Sequence, residues 1–443
     1  MTPPRRARLL AVLLFCAPLL AGTATIAWAA ARAWPMVAWP DECIYLVGAR
    51  NVLERGTLAT NFYLSYSILR RGHPHRDVHM PGYVLVLVPA VAALGPTYEA
   101  GFALNAIAFL GSILLVRAIA RRILGDPLQA AVATTLFAFL PPFAGYLGVV
   151  YPEHVVALAF LAAVAVTLHA ETGRMAALAG VLFALGAVFR ESLLAGFPIA
   201  LAALPRPLLL RRWLPAAAAT LLLVVAPLSR ERAVHPNALY PSVSEEARAS
   251  DAPVGTVLAA VGRNVATNAR LTAAADPATR AEDAVLLFLL ALAVAAAASA
   301  AFRLPPPARR LAWATLASLA VLTAAVLTLY VVRERGGVWG GVRAYMPWAP
   351  LLLVLATPLL FAWRRRAVAL VLAAAAGFAF TRLDEWQVRF FNRYKATDHE
   401  DQLRNERYLS AQLDRFRPTR ILSRSFLYGH THYPVEVIWS LPR

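Results

Sequence analysis

Two adjacent carboxylates, Asp41 and Glu42, follow the first long apolar segment of the chain. Desolvating such a pair at a membrane surface costs several kcal/mol, so they are poor candidates for simple packing residues. A carboxylate held at the lipid–water boundary can accept a proton from a reacting hydroxyl group or hold an ion. The pair therefore suggests a reaction or an ion at that boundary.

The elements that must position these residues are apolar helices. The sequence is 59% hydrophobic and only 15% charged, whereas an ordinary soluble chain is about one quarter charged. Apolar runs of roughly 15–22 residues recur along most of its length, which predicts a polytopic helical membrane protein. The first run, 9–30, has the basic start of a signal peptide but is longer than a usual apolar core, and we expect an uncleaved helix.

The charge pattern gives an orientation. The formal net charge is +18, and the arginines cluster in short loops between apolar runs, which indicates cytoplasmic loops and argues against nucleic-acid binding. Only two cysteines occur, Cys16 within the first helix and Cys43 outside it, so no disulfide framework is expected.

The positive-inside rule sets the predicted topology. The N-terminus is cytoplasmic, and the next basic cluster must return to the cytoplasm through one helix, about 98–119. The apolar run 81–94 is then a helix lying on the outer face. Continued alternation gives about eleven spans, among them one near 128–143 and a last one near 367–381. The basic clusters on the inner side include Arg5, Arg6 and Arg8, then Arg117, Arg121 and Arg122, and then Arg303, Arg309 and Arg310.

The predicted organisation has two parts. Residues 1–381 form the transmembrane domain, with a first outer loop at 31–97 and a second at 229–282. Residues 382–443 form a small outer α/β cap, with a helix near 398–416 and strands near 421–426 and 435–441. The fold class is therefore an all-α polytopic membrane protein with juxtamembrane helices on its outer face.

Polar residues collect at the predicted outer ends of the helices. Side chains of this kind are uncommon at these depths and usually functional. Because both charge signs occur, a cavity for a ligand with an anionic head and for a nucleophilic acceptor is expected. The set comprises Asp41, Glu42, His79, Glu153, His154, Arg190, Glu191, Arg343 and Tyr345.

Several motifs in this order resemble those of the GT-C glycosyltransferases, especially protein O-mannosyltransferases and lipid A aminoarabinose transferases. Met80 departs from the pattern, since the aminoarabinose transferases have a lysine there. The motifs are Asp41-Glu42-x-x-Tyr45-x-x-x-Ala49-Arg50, His79-Met80-Pro81-Gly82-Tyr83, the segment 180–194 with Arg190-Glu191, Arg343-Ala344-Tyr345-Met346-Pro347, and the ending from Arg420-Ile421-Leu422 to Trp439-Ser440-Leu441-Pro442.

The resemblance implies a GT-C type fold and transfer of a sugar from a polyprenyl-phosphate to a lipid, glycan or protein acceptor on the outer face. It implies Asp41 as the general base, with Glu42 in support. Arg190, Arg343 and Tyr345 are the candidates for the donor phosphate. The expected substrate contacts are Tyr45, His79, Tyr83, Glu153, His154 and Glu191.

These motifs do not specify a cofactor. Binding of a divalent cation stays an open alternative, with Glu42, His79 and Glu153 as candidate ligands. The expected location is a bacterial inner membrane, with the active site and the C-terminus on the periplasmic side. The expected partners are membrane lipids, the lipid-linked sugar and its acceptor.

Simpler roles and other activities stay open at this point. Asp41 could be a helix N-cap, and Arg190 and Arg343 could be interfacial arginines that extend to the polar boundary. A flippase for a lipid-linked sugar is one alternative, although transporters place charges near the membrane midplane. A glycan polymerase or ligase is another, and only the motifs favour transfer of a single sugar.

Overall fold

A computed structural model gives the fold of the chain. It describes residues 3–32, 40–56, 58, 62–64, 81–205, 209–227, 277–331, 343, 345–362, 415, 420–423 and 436–439. The predicted span 367–381, most of the second outer loop and the amphipathic helix 398–416, except for position 415, lie outside these residues.

The described part is mostly helical, as predicted. The first helices are α1 (Pro3–Arg32), α2 (Pro40–Arg55), α3 (Gly82–Leu94), α4 (Tyr98–Leu124), α5 (Pro127–Ala138), α6 (Pro141–Leu147), α7 (Glu153–Leu168) and α8 (Gly173–Phe189). A 3-10 turn at Glu191–Gly196 leads into α9 (Phe197–Ala203). Next come α10 (Leu210–Thr220), extended by a π-turn at Leu221–Val225, then α11 (Pro277–Phe302), α12 (Pro306–Val331) and α13 (Ala349–Ala362), the last preceded by a 3-10 turn at Met346–Trp348.

Some boundaries differ from the sequence-based expectation. The predicted span 128–143 is broken, because α5 ends at Ala138 and a separate α6 begins at Pro141. Pro141 and Pro142 lack backbone N–H groups, so this pair disfavours continuation of α5, whereas proline is tolerated in the first turn of a helix. Helix α11 begins at Pro277, inside the predicted loop 229–282.

The helices pack sequentially and also across the chain. Among sequential neighbours, α4 packs on α5, and α7 packs on α8. Helix α1 packs against α5, while α13 packs against α11 and α5. At the centre, the fully buried Trp348 ring lies 4.9 Å from the Phe160 ring, and its Nε1 donates to Ser318 Oγ at 2.8 Å. The segment after Arg343 is therefore fixed against α7 and α12.

Large apolar side chains are also exposed on the outer faces of these helices, as expected for a lipid-facing surface. Examples are Leu20, Ile107, Leu223, Val294 and Trp313. Among the described residues, two helices, Leu10–Ala31 and Tyr98–Leu124, are long and apolar enough to cross a membrane. Shorter apolar helices of 10–17 residues accompany them, and the count of about eleven spans stays a prediction.

A small parallel sheet confirms the two C-terminal strands. It consists of β1 (Phe62–Leu64), β2 (Arg420–Ser423) and β3 (Glu436–Trp439), in the order β1-β3-β2. Tyr63 pairs with Ile438, and Ile421 pairs with Val437. The sequence did not predict the strand from the first outer loop, which pairs directly with β3 of the C-terminal segment.

Candidate functional site

Glu42 lies in the first turn of α2 and is fully buried. Its Oε1 accepts a hydrogen bond from the Val150 backbone N–H at 2.8 Å. This bond joins α2 to the turn that leads into α7. The carboxylate is consequently held by backbone geometry at the end of the helices that the sequence assigns to the outer side.

The turn that carries Val150 is itself fixed by α4. The fully buried Asn105 donates from Nδ2 to the carbonyl of Val149 at 2.7 Å and to that of Tyr146 at 3.4 Å. Gly101, one helical turn earlier, permits the close approach, since an added Cβ would lie 2.5 Å from Val150 Cγ1. The position of the Val150 N–H group is therefore set by residues of α4.

Three charged side chains meet a short distance away, and we name Arg190, Glu153 and Arg343 the RER cluster. Glu153 Oε1 lies 2.8 Å from Arg190 Nη2 and 2.5 Å from Arg343 Nε. Arg190 Nη1 also donates to the Arg343 carbonyl at 3.0 Å. The cluster joins the start of α7, the end of α8 and the entry to α13, which are distant in the sequence.

The burial pattern of the RER cluster leaves its cations accessible. The Glu153 side chain is 0% exposed, whereas those of Arg190 and Arg343 are 19% and 23% exposed. Glu153 Oε2 is buried and has no hydrogen-bond partner among the described residues. Two guanidinium groups and one carboxylate give these three side chains a formal net charge of +1.

The Arg343 side chain stays charged in this environment. Burial alone would lower the pKa of its guanidinium, but the adjacent Glu153 carboxylate raises that pKa well above its ordinary value. The Arg343 Cζ atom also lies 4.2 Å from the centroid of the Tyr151 ring, a favourable cation–π distance. Arg343 is therefore held by a carboxylate and by an aromatic face.

Tyrosine rings fill the space between Glu42 and the RER cluster. Tyr45 lies 4.9 Å from Tyr83 and 6.3 Å from Tyr151, both in edge-on geometry, and Tyr151 lies 6.3 Å from Tyr146. Burial, followed by the charges of Glu153 and Glu42, raises the pKa of the Tyr83 phenol well above its ordinary value. Tyr83 thus stays neutral, close to both carboxylates, with its hydroxyl 3.5 Å from Asn105 Oδ1.

Tyr45 and Tyr83, predicted as substrate contacts, are both almost fully buried in this aromatic cluster. His154, also predicted as a substrate contact, lies in an aromatic part of the core. Its fully buried ring packs edge-on between Phe109 at 5.4 Å and Phe143 at 5.7 Å. Neither ring nitrogen has a hydrogen-bond partner among the described residues.

Tyr345 is close to Arg343 in the sequence, but its hydroxyl bonds to Thr323 Oγ1 of α12 at 3.1 Å. Asp41 lies in the first turn of α2 beside Glu42, and Glu191 begins the 3-10 turn after Arg190. The side chains of Asp41 and Glu191, like His79 as a whole, lie outside the described part of the structure.

The candidate cation site gains no further ligands from the described part of the chain. Within it, no group of three or more His, Cys, Asp or Glu side chains is placed to hold a metal ion. Glu42 accepts a backbone N–H, and Glu153 accepts from two guanidinium groups. Cation binding by Glu42, His79 and Glu153 stays a prediction.

Three residues of the site were not assigned a role from the sequence: Asn105, Tyr146 and Tyr151. Asn105 carried a usable signal, because it is a polar residue inside an apolar predicted span. Tyr151 directly precedes Pro152 and Glu153. Its ring contact with Arg343 was not predictable, because the two segments are about 190 positions apart in the sequence.

No protein-family model matches the sequence, and no curated protein matches it. A comparison with solved structures finds similarity to the archaeal oligosaccharyltransferase AglB from Archaeoglobus fulgidus, solved in complex with an inhibitory peptide and a dolichol-phosphate. The two chains are 14% identical with a TM-score of 0.48, and the match covers 84% of this chain and 56% of that chain. The present chain thus matches little more than half the length of that protein.

Proposed function

We propose that this chain is a membrane glycosyltransferase of GT-C type that transfers a sugar from a polyprenyl-phosphate donor to a hydroxyl group of a lipid, glycan or protein acceptor. The observation that carries the proposal is the RER cluster, with its net charge of +1 and two partly open guanidinium groups beside a buried carboxylate. A phosphodiester that links a lipid to a sugar carries a single negative charge. Bound at the cluster, it would balance the formal charge of these three side chains.

The proposed reaction is an inverting displacement. The acceptor oxygen attacks the anomeric carbon, the bond from that carbon to the phosphate oxygen breaks, and its electron pair leaves with the lipid phosphate. The acceptor proton passes to the Asp41 carboxylate as general base. Arg190 and Arg343 stabilise the phosphate, whose negative charge grows as the bond breaks.

The neighbouring residues have supporting roles in the proposal. Glu42 sits next to Asp41 in the same helical turn and is anchored on Val150, so it orients the acceptor side of the site. Glu153 keeps the two guanidinium groups together, and its second oxygen is a candidate acceptor for a sugar hydroxyl. The sequence resemblance supplies further candidates. These are His79 and Glu191 as substrate contacts, Tyr345 as a contact of the donor phosphate, and a divalent cation as a bound ion.

The proposed topology places this site at the periplasmic face of a bacterial inner membrane, with about eleven spans and a cytoplasmic N-terminus. Two groups of contacts support this assignment of inner and outer helix ends. The Arg190–Glu153–Arg343 contacts join three predicted outer ends, and Arg117 near the predicted inner end of α4 donates to the Leu14 carbonyl of α1.

The proposal is tested by sugar transfer in liposomes with the purified full chain and radiolabelled polyprenyl-phosphate sugars. Asp41→Asn should lower the transfer rate by a factor on the order of 100–10,000, the usual contribution of a general base. Glu54→Gln is the matched control, because Glu54 lies on the same helix with its side chain 53% exposed. Undiminished transfer by a folded Asp41→Asn protein would exclude Asp41 as the base.

The same liposomes separate the enzyme from a flippase. A flippase would move the labelled lipid between leaflets with no sugar transferred, and Asp41→Asn would leave that movement intact. Transfer of whole glycans from a longer lipid-linked donor, without transfer of single sugars, would indicate the polymerase or ligase alternative.

A further inference from the structure

A cavity of about 290 Å³ lies at the end of the helices opposite to the RER cluster. It is formed where α4, α5 and α13 meet the turn between α11 and α12, and its lining includes Leu124, Gln129, Arg303, Leu304 and Phe361. These are the helix ends that the positive-inside rule assigns to the cytoplasm. The cavity is therefore distinct from the proposed active site.

The wall of this cavity combines a cation, an amide and apolar side chains. Arg303 is exposed, Gln129 is half-buried, and Leu124 and Phe361 are partly buried beside them. Arg309 is held at the rim, where its Nη2 lies 3.4 Å from the Leu304 carbonyl oxygen. The wall thus provides hydrogen-bond donors for an anion and an apolar surface for a hydrocarbon chain.

The charge around the cavity is predominantly positive. Arg121, Arg122, Arg303, Arg309 and Arg310 are all exposed at this end. Among the described residues, no carboxylate forms an ion pair with Arg303 or Arg309. The nearby Asp126 is engaged in capping α5, where its Oδ1 accepts the Leu128 N–H at 2.8 Å. An anion at this place would therefore compensate cations that the described part of the chain leaves uncompensated.

We propose that this cavity binds the headgroup of an anionic glycerophospholipid of the inner leaflet. The lipid phosphate bonds to Arg303 and Gln129, and the first part of the acyl chains lies against Leu124 and Phe361. The volume is near the lower limit of ligand cavities, about 300 Å³, which suits a headgroup with its tails outside. Phe302, which is 79% exposed, continues the apolar surface along which the tails would run.

The lipid is a better match than a free anion for a physical reason. A hydrated phosphate ion gains nothing from the apolar side chains of the cavity, whereas a membrane lipid can place its phosphate beside the cations and keep its tails against an apolar surface. Basic pockets between helices on the cytoplasmic side are a recurrent mode of lipid headgroup recognition. The inference rests on the proposed membrane topology, but it does not depend on the transfer reaction.

The test measures binding of phosphatidylglycerol to the purified full chain in detergent by native mass spectrometry, without any sugar donor. Phosphatidylglycerol should bind saturably, whereas phosphatidylcholine and inorganic phosphate should not. Arg303→Gln should weaken the affinity about fivefold, the factor expected for one basic residue near a lipid headgroup. Arg310→Gln, which changes an exposed arginine of the same region outside the cavity lining, should weaken it by less than about twofold.

Several results would overturn the proposal. Equal losses from Arg303→Gln and Arg310→Gln would indicate diffuse surface charge, and equal binding of phosphatidylcholine would indicate non-specific adsorption. Saturable binding of inorganic phosphate alone would indicate a free-anion site. Gln129→Leu keeps the net charge and should also weaken phosphatidylglycerol binding, which covers the case in which Arg303→Gln does not fold. Wild-type protein that binds the lipid but transfers no sugar would refute the proposed function alone.

Discussion

Arg343 and Glu153 form an ion pair across 190 positions of the sequence, with Nε and Oε1 2.5 Å apart. The same Glu153 oxygen also accepts from Arg190. One buried carboxylate therefore holds two cations at the meeting point of α7, α8 and the entry to α13. The arrangement sets both the position and the net charge of the proposed donor site.

The first prediction concerns the energetic coupling in this pair. Glu153→Gln removes the carboxylate from two cations and should lower the free energy of unfolding by roughly 3 kcal/mol, as for a broken buried ion pair. Arg343→Gln should have a smaller effect alone, because its side chain is 23% exposed. A double-mutant cycle in detergent should give a coupling energy above about 1 kcal/mol. If the two substitutions change the free energy of unfolding additively, the Glu153–Arg343 contact has no coupling energy.

The second prediction concerns the hydrogen bond that anchors Glu42 on Val150. Glu42→Ala leaves the Val150 N–H without its buried acceptor and should lower the free energy of unfolding by about 1–3 kcal/mol. Glu42→Gln keeps an oxygen in place for that N–H group and should cost less. Thermal unfolding of the three proteins in the same detergent measures both differences. A larger loss for the glutamine variant than for the alanine variant would refute the anchoring role.

The third prediction concerns Asn105. Asn105→Ala removes the bonds to the Val149 and Tyr146 carbonyls and should lower the free energy of unfolding by about 1–3 kcal/mol. It should also lower sugar transfer, because the turn that it holds carries the Val150 N–H and Tyr151. Unfolding and transfer are measured on the same preparation.

Thr134→Val is the matched control for Asn105. Thr134 is fully buried in α5, and its hydroxyl bonds only locally, to the Ala130 carbonyl at 2.7 Å. Its removal should leave transfer near the wild-type rate. If Asn105→Ala and Thr134→Val reduce transfer equally, the turn has no special part in the site.

The sequence predicted which helix ends share a side, and the described residues agree where they can be compared. Arg190 and Arg343 were expected at the same face, and the structure brings both to one carboxylate. The expectation followed from a simple rule, since basic loops fix the sidedness of every intervening helix. Helix Gly82–Leu94 and the two C-terminal strands were likewise predictable from local apolar patterns.

The rotation of each helix about its axis was not predictable in this way. Successive residues on a helix differ by about 100°, so Glu153 reaches the arginines while His154 enters the aromatic core between Phe109 and Phe143. The sequence had placed both at the outer end of one helix and expected both to face the substrate cavity. The strand Phe62–Leu64 was missed for a related reason, because its partner lies near the other end of the chain.

The most direct test of the central claim is the binding of polyprenyl phosphate to the purified full chain. Arg343→Gln and Arg190→Gln each remove one charge-assisted contact, worth about 1.5–3 kcal/mol, and each should raise Kd by roughly 10- to 100-fold. Arg174→Gln, which changes an arginine at the opposite end of α8, should leave Kd unchanged. The account predicts this difference in proteins that are all folded at the temperature of the binding measurement. Unchanged Kd in folded Arg343→Gln and Arg190→Gln proteins would contradict it.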